Sequence, residues 1–370
     1  MRFEIFNKTG ATKVAFFQKK SFGTTLSEKE NVQALALFND LQVHLFDTDN
    51  PELIRFKTYE EHGRLDLLEG VAQEYSRILD YLKDHQVTIC IFFGSGYPWS
   101  QSFINRVKSI SYAACYFGDD PEGSDHTSRW YVRYYDYAFC GGIYFDRLKK
   151  TEELYREWGA RKALFVPLGA NPIKYRLPFN DVSSRNIDLV YVGGAYLKKI
   201  IRIFRLKKHF GKRMLIYGRG WNYEGASTIK RVVEYLVKRY FEIPRINELP
   251  KDGLVSLYQD TKIGFNMHMS FGPSNLRLYE LPMNGVMQIC DCKDGLSELY
   301  RIDEEVVTYD SISEAIEKIE YYLTHDEERK RIAMAGFKRA AQFYKLENTF
   351  KSIMDEIRAD KKWLNNNTSL

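Results

Sequence analysis

Short apolar runs, each closed by glycine or a polar turn and each followed by a helical pattern, recur from Lys13 to Tyr309. This alternation constrains the fold more than any other feature. Parallel strands covered on both faces read as continuous apolar runs, and neighbours in such a sheet need a crossover helix between them. The first half predicts strands at Lys13–Phe17, Gln42–Phe46, Val87–Phe93 and Ser111–Phe117, with helices at Glu28–Leu41 and Leu67–Asp84. The second predicts strands at Lys162–Val166, Ile187–Val192, Met214–Tyr217, Thr261–Met267, Val286–Cys290 and Glu305–Tyr309. Helices are expected over Lys198–Arg213, Ile229–Tyr240, Gly253–Gln259, Arg277–Asn284, Ser313–Thr324 and Asp326–Phe343. With 370 residues the chain exceeds one ordinary core and suits two α/β domains. The Pro/Gly-rich turn from Pro167 to Pro172 is the natural hinge between them.

A net charge of +5 is a mild basic excess. It favours an anionic ligand such as a nucleotide diphosphate, or peripheral contact with an anionic membrane surface, and carries no nucleic-acid signature. The 26 Tyr and 24 Phe suit the walls of a polar ligand cleft and large aromatic cores equally well. Five cysteines stand at 90, 115, 140, 290 and 292 without zinc-ribbon spacing, and four sit in apolar, strand-like surroundings. That pattern reads as reduced thiols and a cytoplasmic protein. Met1 to Gly10 lacks the apolar core of a signal peptide, and no run is long enough to span a bilayer.

Two sites carry chemistry. Gly193 and Gly194 end a β-branched strand and precede a basic helix, an arrangement in which backbone N–H groups and a helix start can meet phosphate. A third glycine at dinucleotide spacing is absent, and a plain strand–helix turn fits the pair as well. The helix carries Lys198, Lys199, Arg202, Arg205, Lys207 and Lys208. Most of these suit a solvated outer face, while Arg202 or Lys198, near the helix start, could reach a diphosphate. The sharper constellation runs from Asn275 to Glu280. Arg277 and Glu280 lie one turn apart on a helix fed by the loop Ser270, Gly272, Pro273 and Ser274. A guanidinium matches phosphate oxygens and a carboxylate accepts from vicinal ribose hydroxyls, although a surface ion pair has the same spacing.

The ordered series Ile187–Gly194, Leu215 to Trp221, Asn275–Glu280, Gly285, Asp291 and Glu304 to Tyr309 resembles the CgeB/YkvP-like glycosyltransferases, within the wider group-1 assemblage. Tyr321 to Arg329 and Ala333 to Gly336 extend the resemblance, which covers roughly residues 160 to 355. It implies a GT-B fold: two facing Rossmann-like domains with a C-terminal helix crossing back to the first. The expected division is 1–169 for the acceptor side, 170–345 for the nucleotide-sugar donor, and 346–370 for the returning helix and tail. The resemblance also implies that Glu280 holds the ribose and that Arg277 with Gly193 and Gly194 holds the diphosphate. Gly218, Arg219 and Trp221 would then lie near the base.

One departure matters. Retaining relatives carry a Glu eight residues before the ribose carboxylate, and here that position is Gly272. Stereochemistry is therefore not inherited, and Ser274, Asn275 or loop N–H groups are the remaining candidates for sugar or phosphate contact. On the catalytic side, Asp119 and Asp120 follow Ser111–Phe117 and are expected at the cleft, as base, acceptor ligand or turn cap. A paired-acid segment at such a position is typical of the resembled proteins. His126 is a further candidate. His268 ends a buried strand before the donor loop and serves as catalytic or donor contact, or as a satisfied core histidine. Gly94, Ser95, Gly96 and Tyr97 are expected on the acceptor wall. Asp47 and Asp49 have metal-ligand spacing but fall in the first domain, so no catalytic metal is expected. The reading is sugar transfer from a UDP-, dTDP- or GDP-sugar to a glycan, lipid-linked, small-molecule or protein acceptor, with no further cofactor. A non-catalytic nucleotide-sugar-binding or surface-assembly protein and an epimerase of GT-B shape are the alternatives.

Overall fold

The computed structural model describes residues 3–18, 31, 34–47, 69–93, 99–118, 128–144, 149–170, 184–195, 197–218, 253–268 and 271–367. Its strands are β1 (Phe3–Phe6), β2 (Thr12–Gln18), β3 (Leu41–Asp47), β4 (Ile89–Phe93), β5 (Tyr112–Phe117), β6 (Tyr137–Cys140), β7 (Ala163–Phe165), β8 (Ile187–Val192), β9 (Met214–Tyr217), β10 (Thr261–Asn266), β11 (Met287–Asp291) and β12 (Val307–Tyr309). The helices are α1 (Glu69–Asp84), α2 (Gln101–Lys108), α3 (Ser128–Tyr131), α4 (Thr151–Glu157), α5 (Leu197–Phe210), α6 (Gly253–Gln259), α7 (Leu276–Met283), α8 (Leu296–Leu299), α9 (Ile312–Thr324), α10 (Asp326–Phe343) and α11 (Leu346–Asn367). The chain forms two compact units. One holds Met1–Asn171, Ser270–Ser274 and Lys345–Leu370; the other holds Pro172–Met269 and Asn275–Tyr344.

In the first unit the sheet order is β1-β3-β2-β4-β5-β6-β7, parallel throughout except for the antiparallel edge strand β1 against β3. β5 is buried along its whole length, as a strand covered on both faces must be. Phe17 stacks between Phe46 and Phe92, with centroids at 4.5 and 4.4 Å. Helix α11 returns to this unit with Leu346, Phe350, Ile353, Met354 and Ile357 buried, the spacing of one helical face. Phe350 meets Phe16 edge-on at 5.7 Å, and Thr349 Oγ1 donates to the Pro167 carbonyl at 2.8 Å. Gly169, at φ +68°, comes so close to this helix that a Cβ there would lie 2.8 Å from Thr349 Oγ1.

The second unit has five parallel strands in the order β12-β11-β10-β8-β9. Chain order reverses between β8 and β10, because β9 returns on one side of β8 and β10, β11 and β12 build on the other. The buried Arg185 ties the start of this unit to its core. It donates to the carbonyls of Thr261 at 2.6 Å and Asn284 at 2.8 Å. Helix α10 crosses closely enough at Gly336 that a Cβ there would meet the Glu305 carbonyl at 2.5 Å.

Two expectations need correction. The helix expected over Glu28–Leu41 stops earlier: helical backbone is described at Asn31 and from Ala34 to Ala36, and Leu41 opens β3. The turn at Asn39 and Asp40 ends it, and Leu41 pairs with Thr12. The first sheet also has two strands beyond those expected, β1 and β6. Both are four residues long, and β6 is hidden in an aromatic stretch without alternation. Cys90, Cys115, Cys140 and Cys290 are free and buried in strands, whereas Cys292 is free and exposed. Burial pushes the Cys90 thiol up to about 12. Among the described residues no helix is long and apolar enough to cross a membrane.

Candidate functional site

In open parallel sheets, ligands settle outside the carboxyl ends of the strands where the strand order reverses. In the second unit that point lies between the ends of β8 and β10, and the elements there converge through a small set of bonds.

β8 runs into Gly193 and Gly194. The Gly193 N–H donates to the Tyr217 carbonyl at 2.8 Å, joining the ends of β8 and β9. Both glycine turns have a packing reason. A Cβ on Gly218, whose φ is +137°, would lie 2.2 Å from the Gly193 carbonyl oxygen, and one on Gly193 would lie 2.6 Å from the Tyr191 hydroxyl. Replacing Gly218 by Ala should therefore lower the unfolding free energy by at least about 2 kcal/mol. A thermal melt several degrees below wild type is the expected reading, and an unchanged melt would contradict the crossing described here.

Helix α7 starts at the end of β10, and Asn275 caps it. Its Oδ1 accepts from the Leu278 N–H at 3.0 Å and from Asn266 Nδ2 at 3.1 Å, while its Nδ2 donates to Asn266 Oδ1 at 2.9 Å. The side-chain carbonyl of Asn275 is thus used in holding helix to strand. Arg277, in the first turn and half-buried, donates through Nε to the Val192 carbonyl at 2.8 Å. Its two Nη groups take no hydrogen-bond partner among the described residues. Glu280 follows on the same helix, 1% exposed. Burial first, and the Glu280 carboxylate second, push the Tyr258 phenol well above its ordinary value, with Arg277 acting the other way. Arg277, Glu280 and Tyr258 therefore share one electrostatic neighbourhood.

Lys199 departs from the solvated face expected for its helix. It is 9% exposed, and its Nζ donates to the Met267 carbonyl at 2.5 Å, just beyond β10. Burial first, and the Arg277 charge next, push it down to about 8. The sequence holds the signal: Lys199, Ile203, Leu206 and Phe210 fall on one helical face, and the latter three are core residues. Arg202 is exposed, and its charge reaches the phenol of Tyr309, which donates to the Asn266 carbonyl at the end of β10.

His268 lies at the end of β10 with its side chain fully buried. Asp291, at the end of β11, accepts from both the His268 backbone N–H at 2.9 Å and Nδ1 at 2.7 Å. With Nδ1 protonated toward that carboxylate, Nε2 accepts from Asn266 Nδ2 at 3.3 Å. Both ring nitrogens are thereby engaged within the unit, which describes a histidine that orders the strand ends more than one open to substrate. Burial would raise the Asp291 carboxyl, but the hydrogen bonds from His268 and the nearby Lys293 outweigh it and hold Asp291 below its ordinary value. In the sequence Asn266 carries no motif, and nothing local marks Asp291 as the partner of His268.

The half-buried Ser274 and the exposed Phe271 belong to the loop grouped with the first unit, where a Cβ on Gly272 would meet the Tyr144 carbonyl at 3.2 Å. Gly94, Ser95, Gly96, Tyr97, Asp119, Asp120, His126, Arg219 and Trp221 lie outside the described residues, as do Asp49 and the helix expected over Ile229–Tyr240. Among the described residues no group of three His, Cys, Asp or Glu side chains could hold a metal ion.

Residues 199–355 match the glycosyl transferase-like family model. The spore protein CgeB of Bacillus subtilis (strain 168) is 22% identical over 55% of this chain, and the matched region spans 63% of that protein's length. Among solved structures, Anabaena HepE in complex with UDP and glucose superposes with a TM-score of 0.61 at 10% identity, covering 94% of this chain and all of HepE. Sucrose-phosphate synthase from Thermosynechococcus elongatus gives 0.63 at 12% identity, covering 94% of this chain and 99% of that one. Residues 199–355 thus resemble the glycosyl transferase-like family, and the fold of the chain is that of the GT-B structures.

Proposed function

We propose that the chain transfers a sugar from a nucleotide diphosphate sugar to an acceptor hydroxyl, with the donor held at the β8–β10 reversal. The observation that carries this reading is the convergence of two cations there, Arg277 anchored on the Val192 carbonyl and Lys199 on the Met267 carbonyl. Each retains N–H groups able to donate to phosphate. In glycosyl transfer, negative charge grows on the departing diphosphate, and positive donors fixed in advance stabilise it without reorganisation. This role needs no metal ion, and we assign none. Gly193 shapes the turn from which Gly194 offers backbone to the diphosphate, Glu280 takes the ribose hydroxyls, and Gly218, Arg219 and Trp221 border the base. Ser274 and Asn275 flank the sugar. Asp119 or Asp120 supplies the base or acceptor contact, and Gly94, Ser95, Gly96 and Tyr97 serve the acceptor side. His268 acts by ordering the strand ends beside the donor. UDP is the first candidate nucleotide, with dTDP and GDP next, and the reaction belongs to the cytoplasm.

Incubation with a panel of UDP-, dTDP- and GDP-sugars and simple glycan or lipid-linked acceptors tests the reading. Acceptor-dependent release of the free nucleotide diphosphate is expected. Binding without release would sink it in favour of a nucleotide-sugar-binding protein, and acceptor-independent conversion of the sugar would indicate an epimerase.

The position of Lys199 adds a pH signature. Its amine is charged below about 8 and neutral above, so donor affinity should fall as pH rises through that value. In Lys199→Met the same titration should be flat and affinity low throughout. Isothermal titration of UDP between neutral and alkaline pH reads both; an identical slope in wild type and variant would remove Lys199 from the site.

A further inference from the structure

Residues 197–213 carry eight Lys and Arg and no acidic residue, in a chain whose whole net charge is +5, so the rest of the chain is net negative. The positive excess is therefore not spread over the surface but gathered on α5 and the short 3-10 turn that follows it, Gly211–Arg213.

This helix already uses its apolar face. Ile200, Ile203, Phe204, Leu206 and Phe210 are buried in the core of the second unit. Away from that face Arg205 and Lys208 are exposed on the helix, as are Lys212 and Arg213 in the turn that follows. Lys207 is folded back onto the Gly211 and Met214 carbonyls, both at 2.7 Å, and so fastens the end of the helix rather than adding to the outer face. Ile201 sits on that outer face, 55% exposed. Ile201, Arg205 and Lys208 repeat at helical spacing and form one stripe, a branched aliphatic side chain in line with two cations, and Lys212 stands exposed in the turn that follows.

We propose that this stripe docks the protein on an anionic bilayer surface. Lys and Arg near such a surface each add attraction to acidic headgroups, and their aliphatic stems lie along the interface while the charges stay in water. An exposed aliphatic side chain among them can enter the boundary between headgroups and acyl chains. A single-stranded nucleic acid would instead call for aromatic stacking groups between the cations, and the stripe carries none. Attraction of this kind is weakened by salt and adds up residue by residue. The proposal does not depend on sugar transfer, since none of Ile201, Arg205, Lys208 and Lys212 belongs to the donor site.

Sedimentation of the full chain with vesicles tests it. Wild type should sediment with vesicles of phosphatidylcholine containing one third phosphatidylglycerol, remain free with phosphatidylcholine alone, and be released by added salt. The triple variant Arg205→Glu, Lys208→Glu, Lys212→Glu should partition at least about 100-fold less. Ile201→Ser should lose several-fold and Ile201→Trp should gain. Circular dichroism and melting temperature should match wild type in each. The proposal is overturned by equal partition onto neutral and anionic vesicles, by no partition onto either, by a triple variant that binds like wild type, or by capture on duplex DNA or heparin while anionic vesicles are ignored.

Discussion

Arg277→Ala should reduce kcat/KM for the nucleotide sugar by about 10²–10³-fold, the usual loss when one fixed donor to a developing anion is removed. The expectation follows from how the side chain is held. Its Nε is spent on the Val192 carbonyl at 2.8 Å, which fixes the guanidinium plane at the end of β8 and leaves both Nη groups without a hydrogen-bond partner among the described residues. A planar fork held this way meets two phosphate oxygens at once, and lysine cannot copy it. Arg277→Lys should therefore recover only part of the loss, although it keeps the charge. Because Arg277 also joins helix α7 to β8, the melting temperature of each variant must be compared with wild type. Transfer kinetics together with UDP titration distinguish the cases. A folded Arg277→Ala protein with unchanged kcat/KM and unchanged UDP affinity would remove this residue from the donor site, and with it the main support for the site assignment.

The parts of this candidate site that show in the sequence are local. A strand, a glycine turn and the first turn of the next helix are contiguous, so the residues from Gly193 onward and from Asn275 to Glu280 show their arrangement in their spacing. What escaped depends on contacts between distant segments. Lys199 looks like one more solvated lysine until α5 is seated on the sheet and its Nζ meets Met267, 68 residues away. Asp291 gains its role only when β11 lies beside β10 and offers its carboxylate to His268. Asn266 reads as an ordinary strand-end residue, yet it joins His268 to the cap of α7. In the first unit, β6 was hidden because a four-residue strand rich in aromatics has no period to detect. The edge strand β1 was hidden because antiparallel pairing to β3 leaves no local mark.

The returning helix carries the second large expected effect. Asp360 is 1% exposed on α11, and Arg161, Lys162 and Tyr112 all direct donors to it, the Lys162 ammonium at 2.8 Å. Burial would raise this carboxyl, but the hydrogen bonds from Arg161, Lys162 and Tyr112 outweigh it and hold Asp360 down at about 2. The folded value lies below that of the unfolded chain, so the carboxylate contributes stability that is fully present above about pH 5. That contribution, on the order of 2 kcal/mol, is lost progressively as pH falls toward about 2. Asp360→Ala removes the common acceptor and leaves the buried Tyr112 hydroxyl without it, while the half-exposed Arg161 and Lys162 can turn to water, which should cost about 2–3 kcal/mol at neutral pH. Asp360→Asn should be milder, since the amide oxygen still accepts. Thermal melts from pH 3 to 7 read both effects: wild type should lose stability steeply on acidification, and the alanine variant should start lower and fall less. Parallel acid profiles in the two proteins would show that the cluster does not hold α11. Their convergence would tie the seating of the C-terminal helix on the first unit to one carboxylate.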